Sequence, residues 1–193
     1  MPTATDDNKQ IAKYAAPILG INPSARRYWD DDRKNSIDVF SVDDPTHANI
    51  KFYGTIGVSD TPLKINNEPQ SFRLELVSGA DKKYSEAPNI LSTCGFYITK
   101  DEWECRPGTV FKRMVEMYYP EKQMKHIYFT SPFPWQDKLK PLELETKKVV
   151  WLLAVPISDN ELNYKMEKGD QALEELFEEN EIDVFDLDRK STI

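Results

Sequence analysis

Apolar residues recur along this chain at two periods, and changes of period divide it into elements. Ile11, Tyr14, Ala15, Ile18 and Leu19 fall at helical spacing, which predicts a helix over residues 8–19, shortened or kinked by Pro17 and ended by Gly20. Residues 26–33 (Arg-Arg-Tyr-Trp-Asp-Asp-Asp-Arg) read as a polar connection or an edge strand. Ile37, Val39, Phe40 and Val42 predict a strand that turns at 43–45. Another follows at 49–58, where Gly54 and Gly57 permit a bulge or a close backbone approach. Two runs, 63–65 and 72–77, flank Asn66, Asn67, Glu68 and Pro69 in a hairpin-like arrangement. In the second run Phe72, Leu74 and Leu76 alternate with Arg73, Glu75 and Val77, which predicts one face wet or only partly covered.

The helical period returns with Tyr84, Ala87, Leu91, Cys94 and Ile98, and Pro88 fits the first turn of that helix. Turns follow at Pro107-Gly108 and at 118–120, then a strand at 126–130. Pro132 and Pro134 exclude a helix after it and put Phe133 and Trp135 on a loop. The longest apolar run, 149–157, is β-branched and aromatic-rich and closed by Pro156; it predicts a central strand buried on both faces. Ser158 and Glu161 then have the spacing of a capping box, with Ile157 and Leu162 as its hydrophobic staple. The capped helix, 159–168, ends at Gly169. Asp170 caps another over 170–179, with Leu173, Leu176 and Phe177 as its apolar stripe and Glu174, Glu175, Glu178 and Glu179 toward water. Strands joined mostly by tight turns, with helices at both ends and one between, give an α+β domain.

Charge changes this picture at one end. From Asp170 onward there are nine acids (with Glu181, Asp183, Asp186 and Asp188) against Arg189 and Lys190, which is −7 of the −8 carried by all 193 residues. An acidic end on a nearly neutral body suggests a basic partner or simple solubility, and argues against direct nucleic-acid binding. Aromatic content of 11% argues against disorder. The first residues hold no apolar signal segment, the run at 149–157 is too short to span a bilayer, and two cysteines are too few for a disulfide framework. The expectation is a cytoplasmic protein with Cys94 and Cys105 as free thiols.

No residue set reads as catalytic. Cys105 and His126 could be drawn as a nucleophile pair, but no flanking motif supports one, and two Cys with two His (His47, His126) lack zinc-ligand spacing. Asp30, Asp31 and Asp32 could bind a hard cation or serve an acid-dependent hydrolase, but alternate carboxylates of an extended segment point apart, and Arg26, Arg27, Arg33 and Lys34 surround them. No phosphate-binding glycine loop or nucleophile elbow occurs, so neither a cofactor nor a metal is expected. An exposed Phe133 and Trp135 would suggest a protein contact, buried ones an ordinary core.

Two regions and a tail then suggest a family. The Trp-Leu-Leu-Ala-Val-Pro-Ile-Ser run at 151–158, with Glu161, Gly169, Leu173, Leu176, Ile182, Asp183, Asp186, Leu187, Arg189 and Ser191, resembles the end of the suppressor-of-fused-like (SUFU) domain of bacteria. The strand at 126–130 running into Ser-Pro-Phe-Pro-Trp is similar to that family too, as are 55–60 with Pro62 and Leu63, and 73–76. The resemblance covers roughly residues 52–193. It implies a single domain over 1–193, with an N-terminal helical part at 1–22 and an acidic helical segment at 158–193, built on a single mixed, largely antiparallel sheet flanked by helices. It also implies a non-enzymatic immunity protein, an antitoxin that binds and blocks a secreted polymorphic toxin, often LXG-type with a nuclease domain. Glu174, Glu175, Glu178, Glu179, Asp183 and Asp186 are then the candidate partner-facing acids, with Phe133 and Trp135 as candidate apolar anchors. A peptide- or protein-binding scaffold with no toxin involved is the alternative.

Overall fold

The computed structural model describes residues 4–193. Its elements run α1 (Asp6–Leu19), β1 (Ile21–Trp29), β2 (Ser36–Asp43), β3 (Ile50–Ile56), β4 (Lys64–Ile65), β5 (Glu68–Pro69), β6 (Phe72–Asp81), α2 (Ala87–Thr99), β7 (Val110–Phe111), β8 (Met124–Thr130), β9 (Leu142–Glu143), β10 (Lys148–Ser158), α3 (Asp159–Lys168) and α4 (Asp170–Glu179). The main sheet has the order β1-β2-β3-β6-β10-β8-β7, with β9 also paired to β10. Its pairs are antiparallel except β6 with β10, which run parallel from Phe72↔Lys148 to Val77↔Leu153. The α+β class and the mixed, mostly antiparallel sheet are thus as the sequence and its resemblance indicate.

Strand period sorts the core onto two faces. One face, including Val39, Tyr53, Leu76, Ile127 and Leu152, packs against Leu91, Cys94 and Ile98 of α2. The other, including Val42, Phe52, Tyr128, Trp151 and Val155, packs against Ile11 and Ala15 of α1 and Leu173 and Phe177 of α4. With both faces covered, the 149–157 run is buried almost throughout, as its composition requires. The parallel pairing stops at Leu153, so Pro156 lies where β6 no longer needs an N–H from β10. The capping box forms as spaced: Ser158 Oγ accepts from Glu161 N at 3.1 Å, and Glu161 Oε2 accepts from Ser158 N at 2.9 Å.

Asp170 does not cap α4 but is its first residue, with Gly169 at the N-cap and no side-chain cap bond; three further expectations are corrected. The alternation in β6 does not mark a wet face. Leu74, Glu75, Leu76 and Val77 are all buried, because β6 lies inside the sheet between β3 and β10. Glu75 survives there because Thr55 Oγ1 (2.5 Å), Gly57 N (2.9 Å) and Ser59 N (3.0 Å) all donate to its carboxylate. Burial nonetheless pushes its pKa up, against those three donors. Second, the hairpin near residue 66 is a small one of its own. Asn66 and Asn67 take positive φ and close β4 on β5, and β6 goes on to the main sheet. Third, the two prolines do not leave a plain loop: Phe133–Trp135 form a 3-10 turn. Its hydrogen bonds, Trp135 N to Pro132 O and Gln136 N to Phe133 O, need no proline N–H.

The two glycines singled out in β3 act differently. A Cβ on Gly54 would stand 2.3 Å from the Phe40 ring, so that strand accepts no side chain there. Gly57 lies beyond the strand at φ +110°, turning the backbone so that its amide reaches Glu75.

A candidate partner-binding groove

The apolar stripe of α4 seats Leu173 and Phe177 in the core and thereby aims Glu174 and Glu178, one turn apart, over the ends of β8 and β10. A groove of about 570 Å3 lies between them. Tyr128, Val155, Phe177 and Val184 give it an apolar floor. Glu174, Glu178 and Glu181 stand on one rim, and Ser131, Phe133 and Gln136 on the other.

Glu174 is the best positioned of these acids. Its Oε1 accepts from Tyr128 Oη (2.9 Å) and Thr130 Oγ1 (2.5 Å). Two donors on one oxygen fix the rotamer and leave Oε2 without a hydrogen bond among the described residues. Burial and the neighbouring Glu174 carboxylate push the Tyr128 phenol up, so it stays a donor. The site therefore offers a free carboxylate oxygen, on a side chain held through its other oxygen, above apolar surface. That combination suits a long basic side chain, whose aliphatic stem packs on the floor while its charged head meets the rim.

The other predicted residues divide. Glu175 and Glu179 are exposed but do not line the groove, and Glu175 accepts from Gln171 Nε2 at 2.8 Å. Asp183 and Asp186 shape the chain locally: their carboxylates accept from Phe185 N and Asp188 N, each at 2.9 Å. Phe133 stays 47% exposed on the rim. Trp135, offered beside it as an anchor, turns inward and is a core residue; its ring meets Phe52 edge-on at 5.0 Å and Phe185 at 6.1 Å.

The wall at 181–184 is fixed from behind. Arg189 donates to both oxygens of Glu161 and to Pro156 O at 2.8 Å, and its guanidinium lies 5.3 Å from the centre of the Phe177 ring. Thr192 N adds a bond to Glu161 at 3.1 Å. Burial opposes ionisation of Glu161, but Arg189 and the amides of Ser158 and Thr192 outweigh it and hold the carboxyl below its ordinary value. Sequence reasoning named Arg189 only as part of the family pattern, and gave Tyr128 and Thr130 no role. The one available signal was Tyr128 and Thr130 two apart in a strand, which puts both hydroxyls on one face.

The remaining polar clusters are occupied structurally. His126 accepts from Arg113 N at Nδ1 (2.9 Å), so its Nε2 carries the proton toward Asp159 Oδ1 (3.0 Å), and neither nitrogen is left for Cys105. Asp30 is buried and accepts from Lys34 N, Asn35 N and Asn35 Nδ2, while Asp31 and Asp32 are exposed, so the three carboxylates share no site. The two stretches singled out at 55–60 and 73–76 meet at Glu75, and Asp60 is paired with Lys147 at 2.7 Å.

Comparison with known proteins adds the following. The family model described as Suppressor of fused protein (SUFU) matches residues 33–190. Immunity protein YqcF of Bacillus subtilis (strain 168) is 38% identical over 189 residues, 98% of each chain. A crystal structure of a SUFU homologue from Neisseria gonorrhoeae FA 1090 superposes with a TM-score of 0.75 at 17% identity, over 97% of each chain. Drosophila Suppressor of Fused superposes at 0.55 and 13% identity, over 88% of this chain and 42% of its own.

Proposed function

The chain belongs to the suppressor of fused protein (SUFU) family, and we propose that it is an immunity protein, a cytoplasmic antitoxin that neutralises a cognate toxin by binding it. The name of the Bacillus subtilis relative supports the immunity role. The groove beside α4 supports the mode of action. A carboxylate held through one oxygen by Tyr128 and Thr130 over an apolar floor is the observation that carries it. The partner this chemistry favours is basic, and a nuclease domain is the natural case. Its phosphate-binding cations would find Glu174, Glu178 and Glu181 where they normally find a nucleic-acid backbone. Inhibition then needs only occupancy and no reaction by the chain itself.

The test is recovery of the partner by pull-down from the native organism, followed by binding kinetics at two salt concentrations. Replacing Glu174, Glu178 and Glu181 together by Gln should slow association and flatten its salt dependence, because exposed charges act mainly on encounter. An unchanged association rate, with full protection retained in cells, overturns the groove as the binding surface. Recovery of a partner that is no toxin overturns the immunity reading itself.

A further inference from the structure

A second concavity, of about 250 Å3, lies on the opposite face of the sheet at the β1 edge. Ser24, Arg26, Tyr28, Ser41, Lys51 and Tyr53 supply its polar side chains, and Pro88 at the start of α2 closes it. The register builds it: Ser24, Ser41 and Tyr53 are successive partners across β1, β2 and β3, and Arg26 stands two residues beyond Ser24 on the same side.

Every one of these six side chains can donate a hydrogen bond, and no carboxylate lines the space. Such a lining is unexpected in a chain of net charge −8. Among the described residues neither Arg26 nor Lys51 has an ion-pair partner. Arg26 lies 5.5 Å from the centre of the Tyr28 ring, and Asp43, the acid that feels the Lys51 charge, is already paired with Lys82 at 2.8 Å. Ser24 and Ser41 share one hydroxyl proton at 2.9 Å, which leaves the other free. Tyr53 is only 6% exposed, and its hydroxyl is not sealed in the core but lines this space. Burial pushes that phenol up to about 12, so it keeps its proton at neutral pH. α2 starts beside the pocket with no side-chain cap, which adds the positive end of its dipole.

We propose that this pocket binds a phosphate-bearing small molecule, with the oxyanion between Arg26 and Lys51 and a hydrogen bond from Tyr53. Two cations facing one space match the near-double negative charge of a phosphate group better than the single charge of a carboxylate. The site lies on the other face from the acidic groove and does not depend on the immunity reading.

The experiment titrates the full chain at constant ionic strength with inorganic phosphate, glycerol phosphate and acetate, read by calorimetry and amide chemical shifts, with phosphatidylglycerol vesicles in parallel. Saturable binding of the phosphates, tighter than acetate and centred on β1 to β3, is expected. Tyr53→Phe keeps the ring in the core and should weaken binding about tenfold, in line with loss of one bond to a charged group. Arg26→Gln with Lys51→Gln should abolish saturation while leaving the denaturation midpoint near that of the unmodified protein. Acetate binding as tightly as the phosphates, or an equal affinity in Tyr53→Phe, overturns the site. Vesicle binding in preference to glycerol phosphate overturns its assignment to a free ligand.

Discussion

Arg189 holds Glu161 through two parallel bonds, Nη1 to Oε1 at 2.5 Å and Nη2 to Oε2 at 2.9 Å, with both side chains buried. Glu161 thus serves two elements. It completes the capping box that starts α3, and it anchors the segment that follows α4. Removing the cation leaves a buried carboxylate with only the amides of Ser158 and Thr192 and the Thr192 hydroxyl as partners. Arg189→Ala should therefore destabilise the fold by about 3–5 kcal/mol, whereas Ser158→Ala should cost only about 1 kcal/mol. Denaturant midpoints for the two variants check the order, and equal losses would contradict it.

Two buried carboxylates should give opposite pH signatures. The Glu161 pKa is held below its ordinary 4.5, so its stabilisation is complete above that value and is lost as pH falls through the lower folded value. The Glu75 pKa is raised above 4.5, so its contribution is complete below that value and is lost as pH rises through the folded value. Glu161→Gln should accordingly flatten the acid limb of a stability curve against pH, and Glu75→Gln should remove a decline on the other side of 4.5. Denaturant titrations carried to both sides of 4.5 decide between these slopes.

Phe133 and Trp135 should separate cleanly. Trp135→Ala empties a core position beside Phe52 and Phe185 and should cost about 3–5 kcal/mol of stability. Phe133→Ala should leave the midpoint nearly unchanged and speed dissociation of a partner seated in the groove, with little effect on its salt dependence. A Phe133→Ala variant that unfolds early, or holds its partner as long as before, would refute this division.

Both thiols should be inert in the folded protein. Cys94 and Cys105 are buried and unpaired, and burial pushes both pKa values up. A thiol reagent should label them at the rate of unfolding and then react fully in denaturant. Rapid labelling of either under native conditions would place it on the surface.

What could be read in the sequence is what neighbours along the chain determine. The run at 149–157, the Ser158 to Glu161 spacing and the stripe on α4 are local patterns, and each appears with nearly the predicted bounds. The site depends on pairs far apart in sequence: Tyr128 with Glu174, 46 residues on, and Glu161 with Arg189, 28 residues on. Those pairings exist only once the sheet order is known. Alternation in β6 likewise told which side Glu75 takes, but not that Thr55 and the Gly57 turn would cover it. The two prolines ruled out a long helix before Trp135 correctly, and said nothing of a 3-10 turn that delivers the indole to Phe52.

The parallel pairing of β6 with β10 sets an order of events on the ribosome. β10 lies between β6 and β8 but is made after both. While residues 148–158 are still being synthesised, two finished strands each present an open row of amides and carbonyls, the situation in which nascent chains stick to one another. Closing them requires contacts across some seventy-six residues, from Phe72 to Lys148, a long-range step of the slow kind. A message cut short before that point yields a chain with two adhesive edges and no groove, since α4 has not yet been built. Formation of the groove is then all-or-none with respect to the last quarter of translation.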